Sequence, residues 1–295
     1  MYHQKKIAMI NDLSGYGRCS LTVAIPILSA MKVQCCPIPT SILSNHTGFP
    51  VYFFDDYTDK MRPYIEKWKE LDLSFDGIVS GFLGSEEQIE IVIEVIRQFG
   101  GGDALVIIDP IMGDHGKTYA TYTPAMCRRM RDLVSMGNIV TPNLTEGCIL
   151  TDRPYRKEDW TEQELRRLVR DIQAMGPESV ILTGVNQGSF ITNVSVSGDG
   201  PAVFTRTKRV GQERPGTGDV FSSVVAAAAV RGWKLEKAVR LAASFVKACI
   251  RRSEELEIPT ANGVCFEELM QLLVRAVDAK RENGSLERGQ EGRSL

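Results

Sequence analysis

Residues 75–110 read FDGIVSGFLGSEEQIEIVIEVIRQFGGGDALVIIDP, and the fold turns on how this stretch is parsed. GIVS is a short apolar run ending in glycine and polar residues. SEEQIEIVIEVIRQFG then repeats its apolar residues at helical spacing, with Ser85 as N-cap, acids in the first turn and Gly100 as the stop. ALVIIDP (104–110) is an apolar strand bounded by Asp-Pro. A strand, a helix and a second strand in this order require a crossover, and a crossover makes the two strands parallel.

The pattern continues outward in both directions. KIAMI (6–10) predicts a strand and CSLTVAIPILSAM (19–31) a helix that has to accommodate Pro26. VQCCPIPT (33–40) is strand-like, with prolines that favour an edge or an early end. Helices are predicted around 61–71, over TPAMCRRMRDLVSM (123–136) and over TEQELRRLVRDIQAMG (161–176). NIVTPN (138–143) and SVILTGV (179–185) are strands. This alternation predicts an α/β fold with a mainly parallel sheet covered on both faces. SFITNVSVSG and AVFTRTKRV, joined by a turn at Asp199-Gly200-Pro201, then break the alternation and predict a short antiparallel meander at one end. Helices from Asp219, from Leu235 to Glu255 and over FEELMQLLVRAVDAK (266–280) complete one domain, residues 1–280. Residues 281–295 are polar and are expected to form a disordered tail.

Composition narrows the class. Of the 295 residues 43% are hydrophobic and 24% charged, as in an ordinary globular protein. A formal net charge of −2 leaves no electrostatic footprint for nucleic acid or an acidic membrane. The seven cysteines contain no CxxC pair, and the three histidines are too scattered for a histidine-built metal site. The N-terminus has no apolar signal core and no run reaches membrane-spanning length, so a cytoplasmic protein with reduced thiols is expected.

In open α/β sheets ligands bind beyond the carboxyl ends of the strands. The residues that follow the apolar runs are Asn11-Asp12, then Ser44-Asn45-His46-Thr47-Gly48, Gly81-Phe82, Asp109-Pro110 with Gly113-Asp114, Thr141-Pro142-Asn143 with Glu146, and Thr183-Gly184. Glycines, hydroxyls, amides and acids gather there. Two decoys fall away. Gly-Lys-Thr (116–118) lacks the P-loop's first glycine, since position 111 is Ile, and GYGRCS (15–20) has Ser20 where a dinucleotide fingerprint has its third glycine. Asp109, Asp114 and Glu146 are hard oxygen ligands suited to Mg²⁺; the plain alternative is caps and turn formers. His46 and Thr47 are either turn residues or hydrogen-bonding groups of a small-molecule pocket, and Phe82 is either core or a stacking ring. In RPGTGDVFSS (214–223) the glycines open a helix N-terminus that attracts anions, yet Asp219 places a carboxylate in the same first turn.

SNHTG, SGFLGS, DPIMGD, TPNLTE and GTGD, in this order and spacing, resemble the pyridoxal kinases of the ribokinase-like superfamily, over about residues 6–278. The resemblance implies a three-layer α/β/α fold and ATP-dependent phosphorylation of the 5'-hydroxymethyl group of pyridoxal, pyridoxine or pyridoxamine, by a homodimer. It implies Asp219 as general base and Gly216, Thr217 and Gly218 as the anion hole. Asp114 and Glu146 would serve Mg²⁺, directly or through water. Asn143, Thr183, Asp109 and Tyr119 (or Tyr122) would line the ATP side, and His46, Thr47 and Phe82 the vitamin side. A monovalent cation is left open. The first strand departs from the family's Ser-His pair: Asn11 or Asp12 takes the serine's place, and an acid there would favour pyridoxamine. The rival readings are a hydroxymethylpyrimidine kinase and a noncatalytic metabolite binder on the same fold.

Overall fold

The computed structural model describes residues 4–279; the expected tail, 281–295, lies outside the described residues. The chain runs β1 (Lys6–Tyr16), α1 (Ser20–Ala30), β2 (Gln34–Asn45), β3 (Phe54–Asp56), α2 (Thr58–Glu70), β4 (Gly77–Ser80), α3 (Glu86–Phe99) and β5 (Leu105–Ile108). A two-stranded hairpin follows, β6 (Gly113–Asp114) and β7 (Lys117–Thr118), then α4 (Pro124–Ser135), β8 (Ile139–Val140), α5 (Leu144–Leu150) and α6 (Glu162–Gln173). The last elements are β9 (Ser179–Gln187), β10 (Phe190–Ser197), β11 (Val203–Lys208), α7 (Thr217–Val230), α8 (Leu235–Glu255) and a helix over 270–279.

Nine strands form one sheet in the order β11-β10-β9-β8-β5-β4-β1-β2-β3. The six from β9 to β2 are mutually parallel, and the meander β9-β10-β11 closes one end as predicted. The opposite edge carries a second antiparallel strand, β3, which the sequence did not announce. Successive core residues of each strand face opposite layers. Ala8, Ile10, Ile78, Val106, Ile108 and Val180 pack with α3, α4 and α6, whereas Ile7, Met9, Val79, Ile107 and Ile181 pack with α1, α7 and α8. Both faces are therefore dry, which explains why the strands read as unbroken apolar runs.

Three elements differ from their sequence expectations. β1 does not end at Ile10: it continues to Tyr16 because β2 runs beside it as far as Asn45. β2 likewise does not stop at its prolines. It pairs with β3 only at Ser41–Leu43, so the half bearing Pro37 and Pro39 has an open edge that asks for no N–H. α2 starts before Met61, at Thr58, and tolerates Pro63. By contrast, the caps of α3 and α6 lie where the sequence put them: Ser85 accepts from the Gln88 N–H, and Thr161 forms a capping box with Glu164.

Candidate active site

The chain leaves β1 in one direction toward β2 and returns to place β4 on its other side, so strand order reverses between β1 and β4. A cleft opens at such a switch point. Phe82, Asp109, Thr141 and Asn143 follow strands at this carboxyl edge, Asn11 and Thr183 lie level with it inside the longer β1 and β9, and the parallel pairing holds them in register. The Asp109 N–H donates to the Ser80 carbonyl, that of Thr141 to Ile108, and that of Thr183 to Pro142.

α7 starts under this cleft without a side-chain cap. Its N-cap, Gly216, is left-handed (φ 75°), and a Cβ there would lie 2.0 Å from the Arg18 carbonyl oxygen. Only glycine fits, and the first-turn N–H groups stay available to an anion. Thr217 Oγ1 turns back onto the Arg214 carbonyl, and Gly218 is open to solvent. Asp219 sits in that first turn. Burial pushes its carboxyl up to about 6, and the charge of Asp12 adds to the rise; the Ser20 N–H and the Asn11 amide oppose it.

Asn11 is fully buried and its orientation is fixed. Oδ1 accepts from the N–H groups of Asp12 (3.0 Å) and Phe82 (2.9 Å), which leaves Nδ2 facing Asp219 Oδ1 at 3.4 Å. Gly81 makes room for it, since a Cβ there would stand 2.5 Å from the amide. Neighbouring strand residues normally face opposite sides. A bulge between Asn11 and Leu13 lets Asp12 turn toward α1 while Asn11 reaches α7. The sequence left Asn11 and Asp12 as alternatives for the ring contact. Both Asp12 oxygens accept, from Ser20 Oγ and Ser14 Oγ, whereas Asn11 presents its amide to Asp219.

Toward β8 the acids form a line. Burial raises the Asp109 carboxyl, and Asp219 raises it further, against the hydroxyls of Ser222 and Thr141. Glu146 is raised well above its ordinary range by burial and by Asp109. Its oxygens accept from the Asn143 N–H (2.7 Å) and the Met112 N–H (3.2 Å), and Asn143 in turn caps α5 and donates to the Gly113 carbonyl. Asn143 and Glu146 are thus a capping box that anchors the β6–β7 hairpin. Asp114, at the hairpin tip, is exposed and accepts from its neighbour His115. Buried acids facing one another are a standing electrostatic cost that a divalent cation relieves. Among the described residues no group of three or more His, Cys, Asp or Glu side chains could by itself hold a metal ion. Tyr119 is half exposed and feels Glu146, Asp114, Asp219 and Asp109, whereas Tyr122 is buried in the core and feels Glu146 and Asp109.

The SNHTG loop is built around His46. Nδ1 accepts from the Gly48 N–H (3.1 Å), so Nε2 carries the proton and donates to the Ala261 carbonyl (2.8 Å). The ring packs against Gly17 and Phe49, which leaves it a wall and clamp, with Thr47 exposed beside it. Phe82 is half-buried, its carbonyl held by Thr40 Oγ1. Sequence reasoning missed Arg214. This buried guanidinium donates to the carbonyls of Ile258, Pro259 and Gly263 and to Glu254, and so ties the anion loop to the segment that His46 also holds. All seven cysteines are free, and burial pushes the Cys19 thiol up to about 12. No helix among the described residues is long and apolar enough to cross a membrane.

Known proteins resemble the chain throughout this arrangement. The phosphomethylpyrimidine kinase family matches residues 28–264. A pyridoxine/pyridoxal/pyridoxamine kinase of Bordetella avium is 30% identical over 263 residues, covering 82% of this chain and 84% of that protein. A hydroxymethylpyrimidine/phosphomethylpyrimidine kinase of Rhizobium meliloti is 25% identical over 193 residues, covering 65% and 70%. A Bacteroides thetaiotaomicron protein assigned as a phosphomethylpyrimidine kinase, crystallised with pyridoxal, superposes with a TM-score of 0.88 at 38% identity, covering 92% of this chain and 96% of that one.

Proposed function

The chain belongs to the phosphomethylpyrimidine kinase family and is a kinase of the ribokinase-like superfamily, and on that premise we propose that it transfers the γ-phosphoryl group of ATP to the 5'-hydroxymethyl group of a vitamin B6 vitamer. The observation that carries the reading is Asp219: a carboxylate in the first turn of an uncapped, anion-attracting helix, beside an amide whose orientation is locked. Phosphoryl transfer is mostly positioning and charge neutralisation. The N–H groups of Gly216 to Gly218 hold the group in flight, and Asp219 takes the proton of the incoming alcohol, a role worth roughly 10²–10⁴-fold. The ring lies between Asn11, Phe82 and the SNHTG loop, with Thr47 at its edge and His46 as a wall. Asp109, Asn143, Thr183 and Tyr119 border the nucleotide. Asp114 and Glu146 would hold Mg²⁺, directly or through water, and the ion would neutralise phosphate charge.

A hydroxymethylpyrimidine is the second candidate acceptor, favoured by the family match and the Rhizobium meliloti relative. Measuring ADP release with pyridoxal, pyridoxine, pyridoxamine and hydroxymethylpyrimidine separates the two. Turnover of at least one B6 vitamer at ten times the pyrimidine rate is expected, and the reverse ratio overturns the assignment.

The reading includes a homodimer. Tyr16, Val51, Tyr52, Phe53 and Phe54 expose large apolar side chains around the edge strand β3, with Val51 78% and Phe53 64% exposed. A patch of this kind suits a partner, here a second copy. Light scattering of the purified protein should give twice the chain mass, and Phe53→Lys should reduce it to one.

A further inference from the structure

The entry to α1 is strained. Gly17, Arg18 and Ser20 have φ of 102°, 41° and 55°, so three of four consecutive residues are left-handed. A non-glycine residue in this region is strained and persists where its surroundings over-determine it. Arg18 is held by the Asn262 carbonyl and by Glu267, and its own carbonyl fills the space that Gly216 leaves open. Ser20 is held from within. Its hydroxyl donates to Asp12 Oδ1 at 2.5 Å, while Ser14 donates to Oδ2 at 2.8 Å, and all three residues are buried.

This conformation has a consequence at the reacting end of the cleft. α1 has no side-chain cap of its own, and the Ser20 N–H faces the Asp219 carboxylate. Two helix N-termini therefore converge on one acid, α7 through the backbone that carries it and α1 through Ser20. We propose that Asp12 is a positioning residue: by gripping the Ser20 hydroxyl it fixes the left-handed start of α1 and aims the Ser20 N–H at Asp219. A buried carboxylate is a costly way to hold a hydroxyl. Two hydroxyl donors, one on each carboxylate oxygen, offset that cost here. The proposal rests on Asp219 as the base and explains why an acid stands one residue from the amide that meets the substrate.

The test uses the full-length protein with Asp12→Ala, Asp12→Asn and Ser20→Ala. Asp12→Ala and Ser20→Ala should each lower kcat by about tenfold or more while the vitamer KM stays within about twofold for all three vitamers. Asp12→Asn keeps an acceptor for Ser20 and should recover most of the Asp12→Ala loss. In crystals of Asp12→Ala, Ser20 should leave the left-handed region and its N–H should turn from Asp219. Unequal KM changes among the vitamers with kcat intact would mark Asp12 as a ring contact and overturn the proposal. So would an unmoved Ser20 in Asp12→Ala or Ser20→Ala crystals, whichever variant folds. If the parent protein phosphorylates no vitamer, the functional reading fails, and the Ser20 conformation alone decides the role of Asp12.

Discussion

α3 and α7 begin in opposite ways. α3 has Ser85 as N-cap, its hydroxyl accepting from the Gln88 N–H, and Glu86 and Glu87 in the first turn. α7 has a left-handed glycine, no side-chain cap and Asp219 in its first turn. One helix satisfies its own N-terminus; the other keeps its donors for something brought in from outside. Both flank the same nine-stranded sheet, so the difference is chemical rather than architectural. On the proposed reading, α7 forgoes roughly 1 kcal/mol of capping at the cleft so that its donors can meet the phosphoryl group.

The comparison breaks most sharply at Gly216. Gly216→Ala drives a methyl group into the Arg18 carbonyl and strains a left-handed residue. A drop in kcat of about 10²-fold is expected, with a loss of about 1–3 kcal/mol in urea unfolding. A near-normal rate in that variant would separate the loop from catalysis.

Proton linkage gives the next effect. With the Asp219 carboxyl raised to about 6, the base is lost on acidification, and kcat should fall about tenfold per pH unit below that value. Stability runs the other way. A raised carboxyl pKa contributes stability below its unfolded value of about 4, and that contribution is lost as pH rises through about 6. Asp219→Asn should therefore melt above the parent at pH 8, by the equivalent of about 1–3 kcal/mol, with the gap closing below pH ~4. Thermal scans at both pH values read this directly.

Ser85→Ala sharpens the contrast from the other side. It should cost about 1 kcal/mol of stability with kcat within twofold of the parent, because its cap serves α3 alone.

How far such contrasts were legible in the sequence depends on where the signal resides. α3 and α6 could be bounded from caps and periodicity, and α8 from periodicity, because those cues are local. The course of β1 beyond Ile10 could not, because NDLSGY is polar and becomes a strand only through β2, some thirty residues later. α5 was hidden because TPNLTE was read as a cleft rim, although Asn143 and Glu146 three residues apart also spell a capping box. The β6–β7 hairpin has two residues per strand, too few to show a period. In the cleft, Asp219 and Asn11 stood out as polar residues at ends of apolar runs. Ser20 did not, because it contributes a backbone N–H whose direction depends on φ. Arg214 did not, because its partners, backbone carbonyls and the Glu254 carboxylate, are about 40 to 50 residues away.

The central claim is that Asp219 removes the proton of the acceptor alcohol, and Asp219→Asn tests it most directly. ADP release with the preferred vitamer should fall by at least about 10²-fold, while the dissociation constant for ATP, measured by calorimetry, stays within about threefold. Turnover near the parental rate with ATP binding intact would contradict the account.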